Sequence, residues 1–138
     1  MSKVAEATTG ASLLDLHLDD VPDPMVVPAG EYQIRIGTAE LAPSKSSDRT
    51  VLKAVCSVLG EEGAKPVFIN HAFPLKEDDK GKTYNMKTQI KNFCRAFGVS
   101  FDSEPVDWKG AEAFVILDEQ EDQNGNPINT VRRYLIKA

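Results

Sequence analysis

Arg35, Lys45, Arg49 and Lys53 form a run of cations in the first half of the chain. Arg132 stands near its far end, and Phe68, Tyr84 and Tyr134 supply flat rings. Cations can follow a chain of phosphates, and exposed rings can stack on bases at about 1 to 3 kcal/mol per base. The same residues have plainer uses. Phe68 fits a core position, Tyr134 can fill the end of a barrel, and the loop cations can simply be solvated. A second basic series, Lys87, Lys91 and Arg95, recurs every four residues and reads as the solvated outer face of a helix.

Other chemistries lack their residues. A phosphate-binding loop needs a glycine, four residues, then Gly-Lys-Ser/Thr; Gly81-Lys82-Thr83 supplies the end, but position 76 is lysine. The stretch from Asp122 through Asn124 and Asn126 imitates the start of a calcium loop, yet Pro127 holds the glycine position and Arg133 the closing glutamate. His17 and His71 have no cysteine or acid at ligand spacing, so no metal site is expected. Nothing marks a nucleophile with a positioned base. The expectation is a binding protein with neither catalytic residues nor cofactor.

A chain of 138 residues suits one domain, and 41% apolar with 27% charged residues is ordinary for a soluble protein. No apolar run approaches a membrane span and no signal peptide opens the chain, so a cytoplasmic location is expected, with no membrane partner. Cys56 and Cys94 sit inside apolar patterns and read as buried thiols. The net charge of −5 argues against a nucleic-acid partner until its distribution is considered. Residues 1–29 set Lys3 against Glu6, Asp15, Asp19, Asp20 and Asp23, and the rest is close to neutral. An acidic leader therefore precedes a domain that can still carry a basic groove.

Position of these residues depends on the elements around them. Residues 1–12 read as a mobile terminus. Leu14, Leu16 and Leu18 then alternate with Asp15, His17 and Asp19, the period of a half-buried strand. Such an arm packs on the domain or a neighbouring copy, or else competes as an acidic peptide for a basic surface. Pro22, Pro24 and Pro28 make residues 21–29 a linker. Strands are expected over 31–41, 50–59, 66–75, 111–122 and 128–137. In the third, Val67, Ile69, His71 and Phe73 are taken as the inward set. A helix is expected over Thr83–Gly98, capped by Thr83 or Asn85 and stopped by Gly98, with Met86, Ile90, Phe93, Cys94 and Phe97 on its core face. Asn124-Gly125 signals a type I′ hairpin turn.

Three strands, a helix and two strands match the OB-fold, a five-stranded, partly open Greek-key barrel whose helix lies between strands three and four. The chain thus divides into an acidic arm and linker, 1–29, and an OB-fold domain, 30–138. In such a barrel polynucleotides lie across strands two and three, between the loops joining strands one and two and strands four and five.

Gly30-Glu31-Tyr32, Ser44-Lys45-Ser46, Ala96-Phe97-Gly98-Val99, Trp108-Lys109-Gly110 and then Asn129, Val131 and Tyr134 occur in an order that resembles a family of small phage-encoded proteins. Its members, of unassigned function, are associated with single-stranded DNA in replication or recombination. The resemblance covers residues 28–136. It implies a DNA-binding protein of the infected bacterial host, with single-stranded DNA and phage replication or recombination proteins as partners; a homo-oligomer is a separate expectation, which the resemblance does not carry. Single-strand binders of the bacterial housekeeping type end in an acidic recruiting tail, whereas this chain ends Ile136-Lys137-Ala138, which puts any such segment at the front. The competing expectation is a protein-interaction module presenting acidic residues 15–23 and 118–122.

Overall fold

Alternating apolar residues become strands only where a neighbouring strand receives their hydrogen bonds, and five segments of this chain find one. The structure, a computed structural model, describes residues 12–20, 23–45 and 48–136. The expected mobile terminus before Ser12, together with Pro22, Ser46 and the last two residues, lies outside that set. Strands β1 (Gly30–Pro43), β2 (Thr50–Val58) and β3 (Val67–Ala72) come first. Helix α1 (Lys80–Phe97) follows, then β4 (Glu112–Glu121) and β5 (Pro127–Leu135). The strands form one antiparallel sheet in the order β3-β2-β1-β4-β5.

β1 is long enough to serve two neighbours. Its first half pairs with β4 and its second with β2, and between Ile36 and Thr38 the register slips. A bulge there bends the strand and sharpens its twist. Gly37 suits the bend because an added Cβ would stand 3.3 Å from the carbonyl oxygen of Val55. The segment after a 3-10 turn at Pro105–Trp108 fills the gap: Gly110 donates to Ile36 O and Ile36 to Ala111 O.

The inner face of the curved sheet and one face of α1 enclose the core. Ile34, Leu52, Val67, Val115 and Leu117 point in from the strands, and Phe93, Cys94 and Phe97 from the helix. Phe93 is fully buried and meets Phe97, Trp108, Tyr134 and His71 at ring separations of 4.6 to 6.0 Å. Trp108 keeps its indole N–H satisfied by donating to Ser103 Oγ. The inward set expected for β3 holds, since Val67 and Ile69 are buried and Phe68 is not.

Several boundaries differ from expectation, each for a local reason. α1 starts before Thr83 because Asp79 is the N-cap and accepts from Lys82 N at 2.7 Å, a better acceptor than either residue proposed. Gly98 does end it, in the left-handed region at φ 69°. The leucine arm is not a strand: Leu13–Leu16 and Leu18–Asp20 are 3-10 turns, and among the described residues no strand lies alongside to take their hydrogen bonds. The β4–β5 connection is not a type I′ turn, which needs positive φ at both central residues. Only Gly125 has it. Asp122 Oδ1 accepts from the N–H groups of Asn124 and Asn126, which shapes a three-residue loop with Gly125 last.

The linker is more firmly held than its prolines suggest. Met25 bridges the β2–β3 turn through Gly63 O and Lys65 N. Val27 is buried, and its N–H and C=O both bond to the side-chain amide of Asn129. The expected barrel is not closed, and no ladder joins β3 to β5. The two edges run alongside each other in the same direction, since Lys65 Nζ donates to Pro127 O at one end and His71 meets Tyr134 at the other. Side chains, rather than backbone hydrogen bonds, span this seam.

Candidate nucleic-acid interface

The seam between β3 and β5 forms a cleft of about 360 Å³, with α1 along one wall. Because β3 buries Val67 and Ile69, strand alternation turns Phe68 and Asn70 outward, and both line the cleft. Phe68 is 61% exposed. On the opposite edge β5 buries Asn129 and Tyr134, and the slipped register between Ile116 and Leu117 of β4 leaves Arg132 as an extra residue before Arg133. Both arginines are exposed and line the cleft. Gln89 and Asn92, three apart on α1, complete the wall with their amides.

His71 and Tyr134 make its floor, joined by a 2.8 Å hydrogen bond between Nε2 and the phenol oxygen. Burial lowers the pKa of His71 to about 4, so the imidazole is neutral at physiological pH. Burial also pushes the Tyr134 phenol well above its ordinary range. The site is therefore a polar cleft with an uncharged floor, one open ring and two guanidinium groups. Arg132 approaches Asp118 only at 4.0 Å, and Arg133 makes no ion pair among the described residues.

The cations expected to form a track are not assembled with it. Arg35 lies on the outer face of β1, locked to Glu112 by contacts of 2.6 and 2.8 Å. Lys53, on the outer face of β2, stands between Glu40 of β1 and Asn70 of β3 in the ladder. Lys45 is exposed in the β1–β2 loop. Arg49 is the clearest reassignment. Its guanidinium grips Asp78 in two hydrogen bonds of 2.6 and 2.7 Å, reaches Phe73 O at 3.2 Å and touches Met86. Those contacts tie the β1–β2 loop to the approach to α1. They hold the Asp78 carboxyl far below its usual range, chiefly through the Arg49 hydrogen bond. Across β1–β2 the acids Glu40 and Glu112 offset Arg35 and Lys53, so this face is not a basic groove.

The rings divide three ways. Phe68 is in the cleft, Tyr84 is exposed on the first turns of α1 away from it, and Tyr134 belongs to the core with 9% exposure. Tyr134 cannot stack on a base; it stacks edge-on to Phe93 and Phe97. The helix stripe Lys87, Lys91 and Arg95 is exposed. Asn70, Gln89, Asn92 and Arg133 are additional cleft residues. Their signals were the outward alternation of β3 and the i,i+3 spacing on the flank of α1, both legible only once the seam was known.

Among the described residues no cluster of His, Cys, Asp or Glu could hold a metal, and no helix is long and apolar enough to cross a membrane. No curated protein matches the chain. A family model described as a protein of unknown function, DUF669, matches residues 15–136, which takes in the arm from Asp15 on, the whole sheet and the helix. The chain belongs to the DUF669 family.

Proposed function

We propose that this sheet is an OB-type barrel left unsealed between β3 and β5, and that the cleft at the seam holds single-stranded DNA with little sequence preference. The strand order supports the barrel reading: β1 is central, bent at a bulge, and paired on one side with β2 and on the other with β4. The observation that carries the binding site is Phe68, exposed in the same cleft as Arg132 and Arg133. A base stacks on the Phe68 ring while the two guanidiniums take flanking phosphates. The amides of Asn70, Gln89 and Asn92 can each donate or accept toward a base edge, which tolerates several bases. The role that follows is sheltering single strands, as in phage replication or recombination.

Titration of a labelled oligonucleotide at several salt concentrations tests this. Each neutralised phosphate contributes about −0.7 to the slope of log K against log salt for single strands. Replacing both Arg132 and Arg133 by alanine should flatten that slope by about 1.4. Single strands should also be preferred over duplex. Saturable binding absent at low salt, or a slope indifferent to both arginines, removes the proposal.

A second reading, a protein-interaction module, is favoured by one specific observation: Leu13, Leu14, Leu16 and Leu18 are all exposed, beside Asp15 and Asp19. It would be supported by a chain that ignores oligonucleotides at every salt concentration yet retains its fold.

A further inference from the structure

The outer face of β4 and β5 carries an apolar strip that the core does not use. The ladder sets Phe114 beside Leu135 and Ile116 beside Arg133, with Gln33 and Glu31 of β1 continuing those rows. Phe114, Ile116 and Leu135 are half-buried and stand outside the core cluster. Leu135 and Phe114 flank a hollow of about 260 Å³, and Ile116, Arg132 and Arg133 enclose another of about 320 Å³. The strip thus sets Phe114, Ile116 and Leu135 between Glu31 on the β1 side and Arg132 and Arg133 at its far end, where Asp118 stands 4.0 Å from Arg132.

The leucine arm has the opposite pattern. Leu14, Leu16 and Leu18 recur every second residue, and Asp15, Asp19 and Asp20 lie between and after them. In an extended chain alternate residues are about 7 Å apart, the same separation as Phe114 and Ile116 along β4. Among the described residues, local contacts alone hold the arm in its present form. Its hydrogen bonds are short-range, such as Asp15 N to Ser12 O and His17 N to Leu14 O, and His17 takes a left-handed φ of 51°, strained for a residue with a side chain. Extension would relieve that strain.

We propose that residues 13–20 of one copy lie on the β4–β5 strip of a second copy, leucines on Ile116, Leu135 and Phe114 and aspartates toward Arg132 and Arg133. The exchange is reciprocal, so a two-fold dimer closes on itself and leaves no arm over. A second copy is the occupant because Met25 and Val27 are clasped by the β2–β3 turn and by Asn129, which fixes where the arm leaves its own domain. On that path its leucines remain exposed to solvent. Arg132 and Arg133 also border the cleft, so nucleic acid and the arm compete for them. That competition rests on the function proposed above; the dimer does not.

Sedimentation velocity across a wide concentration range, without nucleic acid, tests the dimer by itself. The intact chain should be dimeric and dissociate on dilution. The variant L14S/L16S/L18S should be monomeric throughout with an unchanged circular dichroism spectrum, as those side chains are outside the core. Arg133→Glu should dissociate the dimer, and combining it with Asp19→Arg should restore it. An intact chain that is monomeric at every concentration overturns the proposal, as does a dimer that survives the triple serine change. Arm leucines that dock on their own domain would appear as the first of these.

Discussion

Arg49 donates two hydrogen bonds to Asp78, at 2.6 and 2.7 Å, and so fastens the loop after β1 to the segment that starts α1. The Asp78 side chain is only 5% exposed and also accepts from Leu75 N at 2.7 Å. Removing the cation would leave a sheltered carboxylate without its partner. Arg49→Glu is therefore expected to lower Tm by several degrees, whereas Lys45→Glu, at an exposed loop position, should leave it almost unchanged. Thermal unfolding of the two variants side by side checks this. A loss of oligonucleotide binding in Arg49→Glu would report on folding, not on phosphate contact.

Acid should weaken the protein in two stages. His71 titrates near 4 in the folded chain and near 6.5 when unfolded, so between those values the unfolded chain binds more protons. Stability is complete above about pH 6.5 and falls as pH drops toward 4, by at most about 3 kcal/mol from this group. The second stage comes below about pH 4, where the depressed Asp78 carboxyl is protonated only on unfolding and then in the folded state. Urea midpoints measured at pH 7, 5 and 3.5 would resolve the stages. His71→Phe should abolish the first and leave the second.

Phe68 and Tyr134 border one cleft with opposite exposures, 61% and 9%. Phe68→Ala should leave Tm within a degree or two and weaken single-strand binding about 5- to 150-fold, the equivalent of one stacked base. Tyr134→Ala should cost about 3 to 5 kcal/mol of stability by opening a cavity beside Phe93 and Phe97. Chemical denaturation and oligonucleotide titration on the same two variants separate these outcomes.

Cys56 and Cys94 are each about fully buried, and burial pushes the Cys56 thiol up to about 12 and raises that of Cys94. Only the thiolate attacks. The native protein should accordingly resist alkylation at neutral pH, and both thiols should react together once denaturant unfolds the chain. Labelling of either one at the rate of a free thiol in native buffer would contradict the burial.

Strands and helix were legible wherever period and partner agreed. Leu52, Ala54, Cys56 and Val58 of β2 and Phe93, Cys94 and Phe97 of α1 form the inward faces that their spacing predicts. The leucine arm has an equally clean alternation and is not a strand, since period is a property of the segment and pairing a property of its surroundings. Arg49 shows the same limit: a loop cation carries no local sign of its partner Asp78, which the fold brings to it from 29 residues away. Phe68, singled out in the sequence, lines the cleft, and the amides beside it were not singled out. Asn70, Gln89 and Asn92 belong to a strand and a helix whose meeting depends on where β5 lies, which no local pattern encodes.

Asn129 binds Val27 much as one β-strand binds another, with its amide donating to the carbonyl and accepting from the N–H, at 2.9 Å each. It also donates to Asp118 O at 3.2 Å, all within the protein interior. A polypeptide trimmed to begin at Gly30 would therefore lack more than a tail. It would strip the Asn129 amide of both its bonds to Val27, leaving Asp118 O as its remaining described partner, and the smallest fragment able to fold stably should extend back at least to Met25.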